Sequence, residues 1–110
     1  MTTKEVFAAA ADLLGREGWG QGSYKKEDGT RCMLGACMAV TVGDRFENAH
    51  DANWQPKSVC EDYSVAVQAL EDHFYALGKT TGKRASAAEW NDAPGRTKDE
   101  VIAKLRELAS

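Results

Sequence analysis

The sequence predicts a mainly α-helical protein, with four or five helices packed around one buried central helix. Three observations lead to this class: four helix-start signals, three amphipathic stretches at helical spacing, and one stretch that is apolar or small on every side. The chain has 110 residues, which is the size of one domain, so we expect residues 1–110 to fold as a single unit.

Helix starts are indicated by capping boxes, in which Ser, Thr or Asp precedes Glu by three positions and each side chain satisfies a free backbone N–H. The four pairs are Thr2 with Glu5, Asp44 with Glu47, Ser58 with Glu61, and Thr97 with Glu100. In chain order they predict a first helix, a short helix, a long helix and a last helix.

Apolar residues recur at helical spacing in the first, long and last of these segments. The first helix is expected over about residues 3–15, and the last over about residues 98–109. The long helix is expected over about residues 59–77, with Gly78 as its stop. Each has a polar opposite side, so each should cover a core rather than cross it.

Residues 33–40 differ because they are apolar or small all round, which predicts a helix over about residues 33–42 that is buried on every side. We take this segment as the central helix. Its small residues should let another helix approach closely, and they are Cys32, Gly35, Ala36, Ala39 and Gly43. A buried strand is the competing interpretation, but the glycine and the two alanines count against it.

Two turns are predicted from local residue types. Asp28 and Gly29 lie between short extended arms and predict a small β-hairpin over about residues 23–32. The sequence Ala-Pro-Gly-Arg at 93–96 fits a type II turn. If residues 88–91 add a third strand, the fold class becomes α+β.

The composition limits the classes of partner. The 14 basic and 17 acidic residues leave a net charge of −3, which argues against nucleic-acid binding by charge. No stretch is long and apolar enough for a membrane, and the periodic N-terminal segment carries Asp12, unlike a signal peptide. Three cysteines without framework spacing indicate reduced thiols, so we expect a cytoplasmic protein.

A catalytic thiol is one alternative for Cys32. Papain-like enzymes place a thiol at a helix N-terminus and add a His, which an Asn or Asp orients. The chain offers Cys32, then His50 or His73, then Asn91 or Asp92. His73 lies near the apolar face of the long helix and His50 in a polar loop, so we favour a packing cysteine and no enzyme.

Metal and cofactor signals are weak. No CxxC, HExxH or His-x-x-x-His spacing occurs, and Glu47, His50 and Asp51 read more simply as an exposed helix end. The glycines of "GREGWGQGS" lack both phosphate-binding spacings, so they predict a chain reversal that folds Trp19 onto the core. We therefore expect no metal and no cofactor.

The loop from Trp90 to Arg96 has two interpretations. As a latch, Trp90 is buried, Asn91 and Asp92 fix the turn, and Arg96 pairs with Asp92. As a binding site, the loop forms a polar cleft with the Trp19–Gln21 loop. The residues predicted to bind are Trp19, Gln21, Trp90, Asn91, Asp92 and Arg96.

The combination of short motifs resembles a small domain-of-unknown-function family of actinobacterial and actinophage proteins. The matching residues are Gly18-Trp19, Gln21-Gly22, Cys32, Gly35-Ala36, Trp90-Asn91-Asp92, Arg96-Thr97 and Val101. An extra Gly20 separates Trp19 from Gln21. The resemblance spans nearly the whole chain, implies a cytoplasmic protein of bacterial or phage origin, and transfers no catalytic residues.

The leading functional expectation is a small cytosolic, non-enzymatic protein-binding or accessory factor. The absence of a convincing catalytic set favours it, whereas phage origin and action on a host protein rest on the resemblance. The partner would be a host protein or a second copy of the chain. The alternatives are a cysteine hydrolase or transferase using Cys32, and a small-ligand or nucleotide sensor using the Trp90–Arg96 loop.

Overall fold

The structure is a computed structural model, and it describes residues 2–43 and 61–110. In this part of the chain the helices are α1 (Thr3–Glu17), α2 (Met33–Thr41), α3 (Glu61–Thr81), α4 (Ala87–Asn91) and α5 (Lys98–Ala109). The mainly helical prediction is confirmed. The Asp44–Glu47 box, Ser58, His50, Asp51 and the expected start of the long helix lie outside the described residues.

The α2 helix forms the centre of the fold, as predicted. Residues 33–38 are all buried, and the helix packs against α1, α3 and α4. α5 packs mainly along α1 and adds Val101 and Leu105 to the core. The core is made of apolar side chains from every helix, including Phe7, Leu70 and Leu105.

Two predicted capping boxes are present with both reciprocal hydrogen bonds: Thr2 with Glu5 begins α1, and Thr97 with Glu100 begins α5. The last helix has the predicted bounds. The first is longer than predicted and ends at Glu17, with Gly18 as its C-cap.

Gly78 does not end the long helix, and that prediction was wrong. α3 continues to Thr81, and Gly82, with φ of 77°, follows it. Gly78 is buried where the chain turns back, and a Cβ there would lie 3.1 Å from the Lys83 carbonyl oxygen and the Arg84 Cα. Its lack of a side chain allows this close approach rather than a helix stop.

The predicted β-hairpin is not confirmed. A turn does form at Asp28, whose carboxylate accepts hydrogen bonds from the Thr30 amide and hydroxyl. Beyond it there are only isolated bridges in the described residues, from Arg31 to Lys25 and to Trp19. The Lys26 amide donates to the Thr30 carbonyl across the turn, while the backbone groups of Arg31 bond to Gly18 and Gly20, so the second arm is shared between the first arm and the segment after α1.

The third strand proposed for residues 88–91 is contradicted, because these residues lie in α4. A fifth capping box begins this helix: the Ser86 hydroxyl accepts from the Glu89 amide, and the Glu89 carboxylate accepts from the Ser86 amide. The turn after α4 has the predicted form. Gly95 has φ of 81°, and the Arg96 amide donates to the Ala93 carbonyl at 3.1 Å.

Candidate functional site

Asn91, at the end of α4, joins three distant segments of the chain. Its side chain is 1% exposed. Its Oδ1 accepts hydrogen bonds from Trp19 Nε1 at 2.7 Å and from the Met33 amide at 3.0 Å. Its Nδ2 donates to the Gly20 carbonyl at 3.3 Å and to Asp92 Oδ1 at 2.9 Å. One buried amide thus connects the loop after α1, the start of α2 and the end of α4.

Further hydrogen bonds fasten the two predicted binding loops to each other. Gln21 Nε2 donates to the carbonyls of Asn91 and Ala93, both at 3.1 Å. The Gly22 amide donates to Asp92 Oδ1 at 3.0 Å. The polar groups of the loops therefore bond directly to one another instead of facing each other across a cleft, and the open space lies beside them.

Trp90 and Arg96 form a separate stacked unit. The Arg96 guanidinium lies 3.9 Å from the centre of the Trp90 ring, which also stacks on Phe74 with ring centres 5.0 Å apart. Arg96 Nε donates to the Trp90 carbonyl at 2.9 Å, and Arg96 Nη1 pairs with the Glu100 carboxylate at 2.8 Å. The predicted pairing of Arg96 with Asp92 was wrong, since Glu100 lies one helical turn further along the chain and within reach.

Cys32 is the N-cap of α2 and is 8% exposed. Its sulfur accepts a 3.3 Å hydrogen bond from the Gly35 amide. Burial raises the pKa of the Cys32 thiol; hydrogen bonds from the Gly35 and Leu34 amides lower it, and the Asp92 carboxylate raises it further. The thiol is therefore held in its protonated form, which is a poor nucleophile.

No histidine among residues 2–43 and 61–110 contributes to the charges or hydrogen bonds that act on Cys32. His73 lies instead beside α5, where its Nε2 is 3.9 Å from Glu107. In the same two ranges, no group of three His, Cys, Asp or Glu side chains is placed to hold a metal ion. Nor does the described part of the chain contain a helix that meets the length and apolarity needed to cross a membrane.

A cavity of about 250 Å³ lies beside the Asn91 hydrogen bonds, and we call it the Asp92 cavity. Its lining residues are Gly22, Ser23, Tyr24, Cys32, Leu34, Ala88, Asn91 and Asp92. Three of them, Cys32, Asn91 and Asp92, were among the candidate site residues named from the sequence. Ser23 and Tyr24 had been assigned to a hairpin arm, and no sequence signal pointed to Leu34 or Ala88.

Gly35 determines how one wall of the Asp92 cavity is placed. A Cβ at this position would overlap the Tyr24 carbonyl oxygen and lie 2.7 Å from its carbonyl carbon. The close approach predicted for the small residues of α2 is therefore made, at Gly35, by the backbone of Tyr24 and not by another helix. This contact holds the 22–24 segment against the start of α2.

A second concavity, of about 390 Å³, lies on α3 and the segment before α4. Its lining includes Glu71, Tyr75 and Arg84. The Arg84 guanidinium is 5.5 Å from the centre of the Tyr75 ring, and Glu71 accepts from the Ala87 amide. None of its lining residues belongs to the hydrogen bonds around Asn91, so it is a separate surface.

Fold and site together define a small, mainly helical protein with a cavity where three segments of the chain are joined by the hydrogen bonds of a buried asparagine. The chain belongs to a family of unknown function, DUF6197, which matches residues 1–110. The resemblance inferred from the sequence is confirmed to that extent. No curated protein and no solved structure shows a significant match to the chain.

Proposed function

We propose that the protein is a non-enzymatic binding factor that holds a protein partner through the Asp92 cavity. The observation that carries this proposal is the cavity itself, lined from three segments that Asn91 fastens together. A site whose walls are held by internal hydrogen bonds loses little freedom on binding, which favours recognition.

The chemistry around the cavity supports binding over catalysis. Its thiol, Cys32, is buried and protonated, and no imidazole of the described residues acts on it. A cysteine hydrolase needs a thiolate paired with a base, and the burial that raises the pKa of Cys32 counts against this alternative.

The size of the cavity supports a protein partner over a nucleotide or cofactor. Pockets for small ligands usually enclose roughly 300–1,000 Å³. At about 250 Å³ the Asp92 cavity lies below that range and suits a single side chain. Side chains that fill such pockets often supply much of the binding energy of an interface. Tyr24, 38% exposed beside the cavity, adds an aromatic of the type enriched at interfaces.

The setting of this function is proposed from the family resemblance. We place the protein in the cytoplasm of an actinobacterium, encoded by a phage or its host, with a host protein as partner. A second copy of the chain is the alternative partner.

The test compares capture of partners from an actinobacterial lysate by the wild type and two matched variants. Ala88→Phe places a large side chain at the lining of the cavity, and Ala103→Phe places the same side chain on an exposed position of α5. A protein captured by the wild type and by Ala103→Phe, but not by Ala88→Phe, is the expected result. Equal capture by all three would overturn the proposal.

A further inference from the structure

We propose that the Asp92 cavity receives a lysine or arginine side chain from an exposed segment of the protein partner. This inference rests on the proposed function and specifies the chemistry of its ligand. Three observations support it: the charge of the cavity lining, the internal hydrogen bonds that nearby backbone amides already make, and the apolar residues of the lining.

The charge of the cavity lining favours a cationic ligand. Asp92 is the one lining residue with a formal charge at neutral pH; the other lining residues are Gly, Ser, Tyr, Cys, Leu, Ala and Asn. Among the described residues, no lysine or arginine lines the cavity to neutralise that carboxylate. A cationic side chain is the complementary ligand, because an opposite charge near a carboxylate forms the stronger class of hydrogen bond.

Backbone amides near the cavity would attract an anion if they were free. The start of α2 is near the cavity, but its Met33 amide donates to Asn91 and its Gly35 amide donates to the Cys32 sulfur. The Gly22 amide, also in the lining, donates to Asp92. These three amides already have partners within the protein, so they offer no free donors to an anion. The other polar lining side chains, Ser23 and Tyr24, carry hydroxyls that can accept as well as donate.

Two internal hydrogen bonds fix the position of the Asp92 carboxylate. Asp92 Oδ1 accepts one hydrogen bond from the Gly22 amide and one from Asn91 Nδ2, at 3.0 and 2.9 Å. The carboxylate is thus held in place before a ligand arrives. Since an ionised carboxylate has about four acceptor positions, the two internal bonds leave it able to accept from an ammonium or guanidinium group.

The apolar part of the lining suits the methylene stem of the partner's lysine or arginine. Leu34, Ala88 and Tyr24 supply apolar atoms to the lining. Lysine and arginine have a flexible methylene stem that packs on apolar surface while the charged end makes polar contacts. The cavity combines these two environments in the space of one side chain.

The test uses capped peptides of sequence Gly-Ser-Lys-Ser-Gly, Gly-Ser-Arg-Ser-Gly and Gly-Ser-norleucine-Ser-Gly. Norleucine keeps the stem of lysine and removes its charge. Each peptide is titrated into isotopically labelled protein, and the Gly22 and Met33 amide resonances are followed by NMR. We expect saturable shifts with the first two peptides and at least about tenfold weaker binding of the norleucine peptide, because a charge-assisted bond is lost.

Asp92→Asn is the matched variant. Asparagine retains an oxygen that can accept from Gly22 and from Asn91, so the local fold should survive while the charge is removed. We expect about a tenfold loss in affinity for the lysine peptide. Asp99→Asn, which removes the same charge from an exposed position of α5, should leave the affinity unchanged. Weaker binding of the lysine peptide to the wild type at high salt gives a second readout that needs no variant.

The outcomes separate this inference from the proposed function. If the norleucine peptide binds as tightly as the lysine peptide, or if added salt leaves lysine binding unchanged, the cationic ligand is wrong. No peptide-induced shift at Gly22 also overturns it. In each of these cases, loss of partner capture in Ala88→Phe leaves the proposed function intact. Unchanged capture by Ala88→Phe overturns both.

Discussion

The indole N–H of Trp19 donates a 2.7 Å hydrogen bond to the side-chain oxygen of Asn91, 72 positions further along the chain. The same oxygen accepts from the Met33 amide, so one atom orients the loop after α1 relative to the start of α2. These contacts place Cys32 and Asp92 in one cavity wall. The integrity of the candidate site therefore depends on one buried amide.

Replacing Asn91 with alanine should be strongly destabilising. The substitution leaves the Trp19 indole and the Met33 amide without their acceptor, and each buried donor left unpaired costs roughly 1–3 kcal/mol. We expect the free energy of unfolding in urea to fall by about 3 kcal/mol or more. Gln68→Ala, which removes an exposed amide bonded to Asp72, should cost less than about 0.5 kcal/mol. Similar costs for the two variants would contradict the role given to Asn91.

Two glycine-to-alanine substitutions should have opposite effects. Gly35→Ala places a methyl group into the Tyr24 carbonyl, and we expect a loss of more than about 3 kcal/mol, since a backbone group cannot rotate away as a side chain does. Gly15 lies within α1 with nothing within 4 Å of an added Cβ. Gly15→Ala should therefore stabilise the protein by about 0.5–1 kcal/mol, the difference in helix propensity. Thermal unfolding of both variants checks the pair.

The Cys32 thiol should react slowly with iodoacetamide near neutral pH. Because burial raises its pKa above the ordinary 9.0, the reactive thiolate appears only at alkaline pH. Burial raises the pKa of Cys37 to about 12, so Cys37 should react more slowly still. Mass spectrometry of the peptides, compared with the urea-unfolded chain, gives the two rates. If Cys32 is alkylated faster at pH 7 in the folded protein than in the urea-unfolded chain, the result supports the cysteine-enzyme alternative.

His73 should make the protein less stable in mild acid. Burial, followed by the nearby Lys104, lowers the pKa of His73 below 6.5, and Glu107 only partly opposes this. As the pH falls below 6.5, the unfolded chain binds a proton on this residue before the folded chain does, so stability is lost on acidification. His73→Gln should reduce the slope of stability against pH between about 6.5 and 5. Urea unfolding at several pH values measures it; an unchanged slope would show that His73 does not contribute.

Local sequence signals predicted the helices well. Thr2 with Glu5 and Thr97 with Glu100 start helices as expected, because a capping box involves groups only three residues apart. The apolar surroundings of α2 followed from its composition in the same way. Ser86 with Glu89 is a fifth capping box of the same local kind, and it begins α4 where a third strand was one prediction.

Glycine signals were less specific. Gly78 predicts a helix stop, but it lies inside α3, where its missing side chain allows the close approach of Lys83 and Arg84. Asp28 and Gly29 predict a hairpin, and the Lys26 amide does donate to the Thr30 carbonyl, but Arg31 bonds to Gly18 and Gly20. Local residues allow these conformations, and contacts formed in the folded chain decide between them.

Helix starts, the buried central helix and the polar residues of two loops follow from the amino-acid sequence. The hydrogen bonds from Trp19 and Met33 to Asn91, the pairing of Arg96 with Glu100, and the cavity shared by Asp92 and Cys32 depend on tertiary packing. Capping and periodicity act between neighbours in the chain, whereas a cavity is formed by side chains that meet only after distant segments have packed.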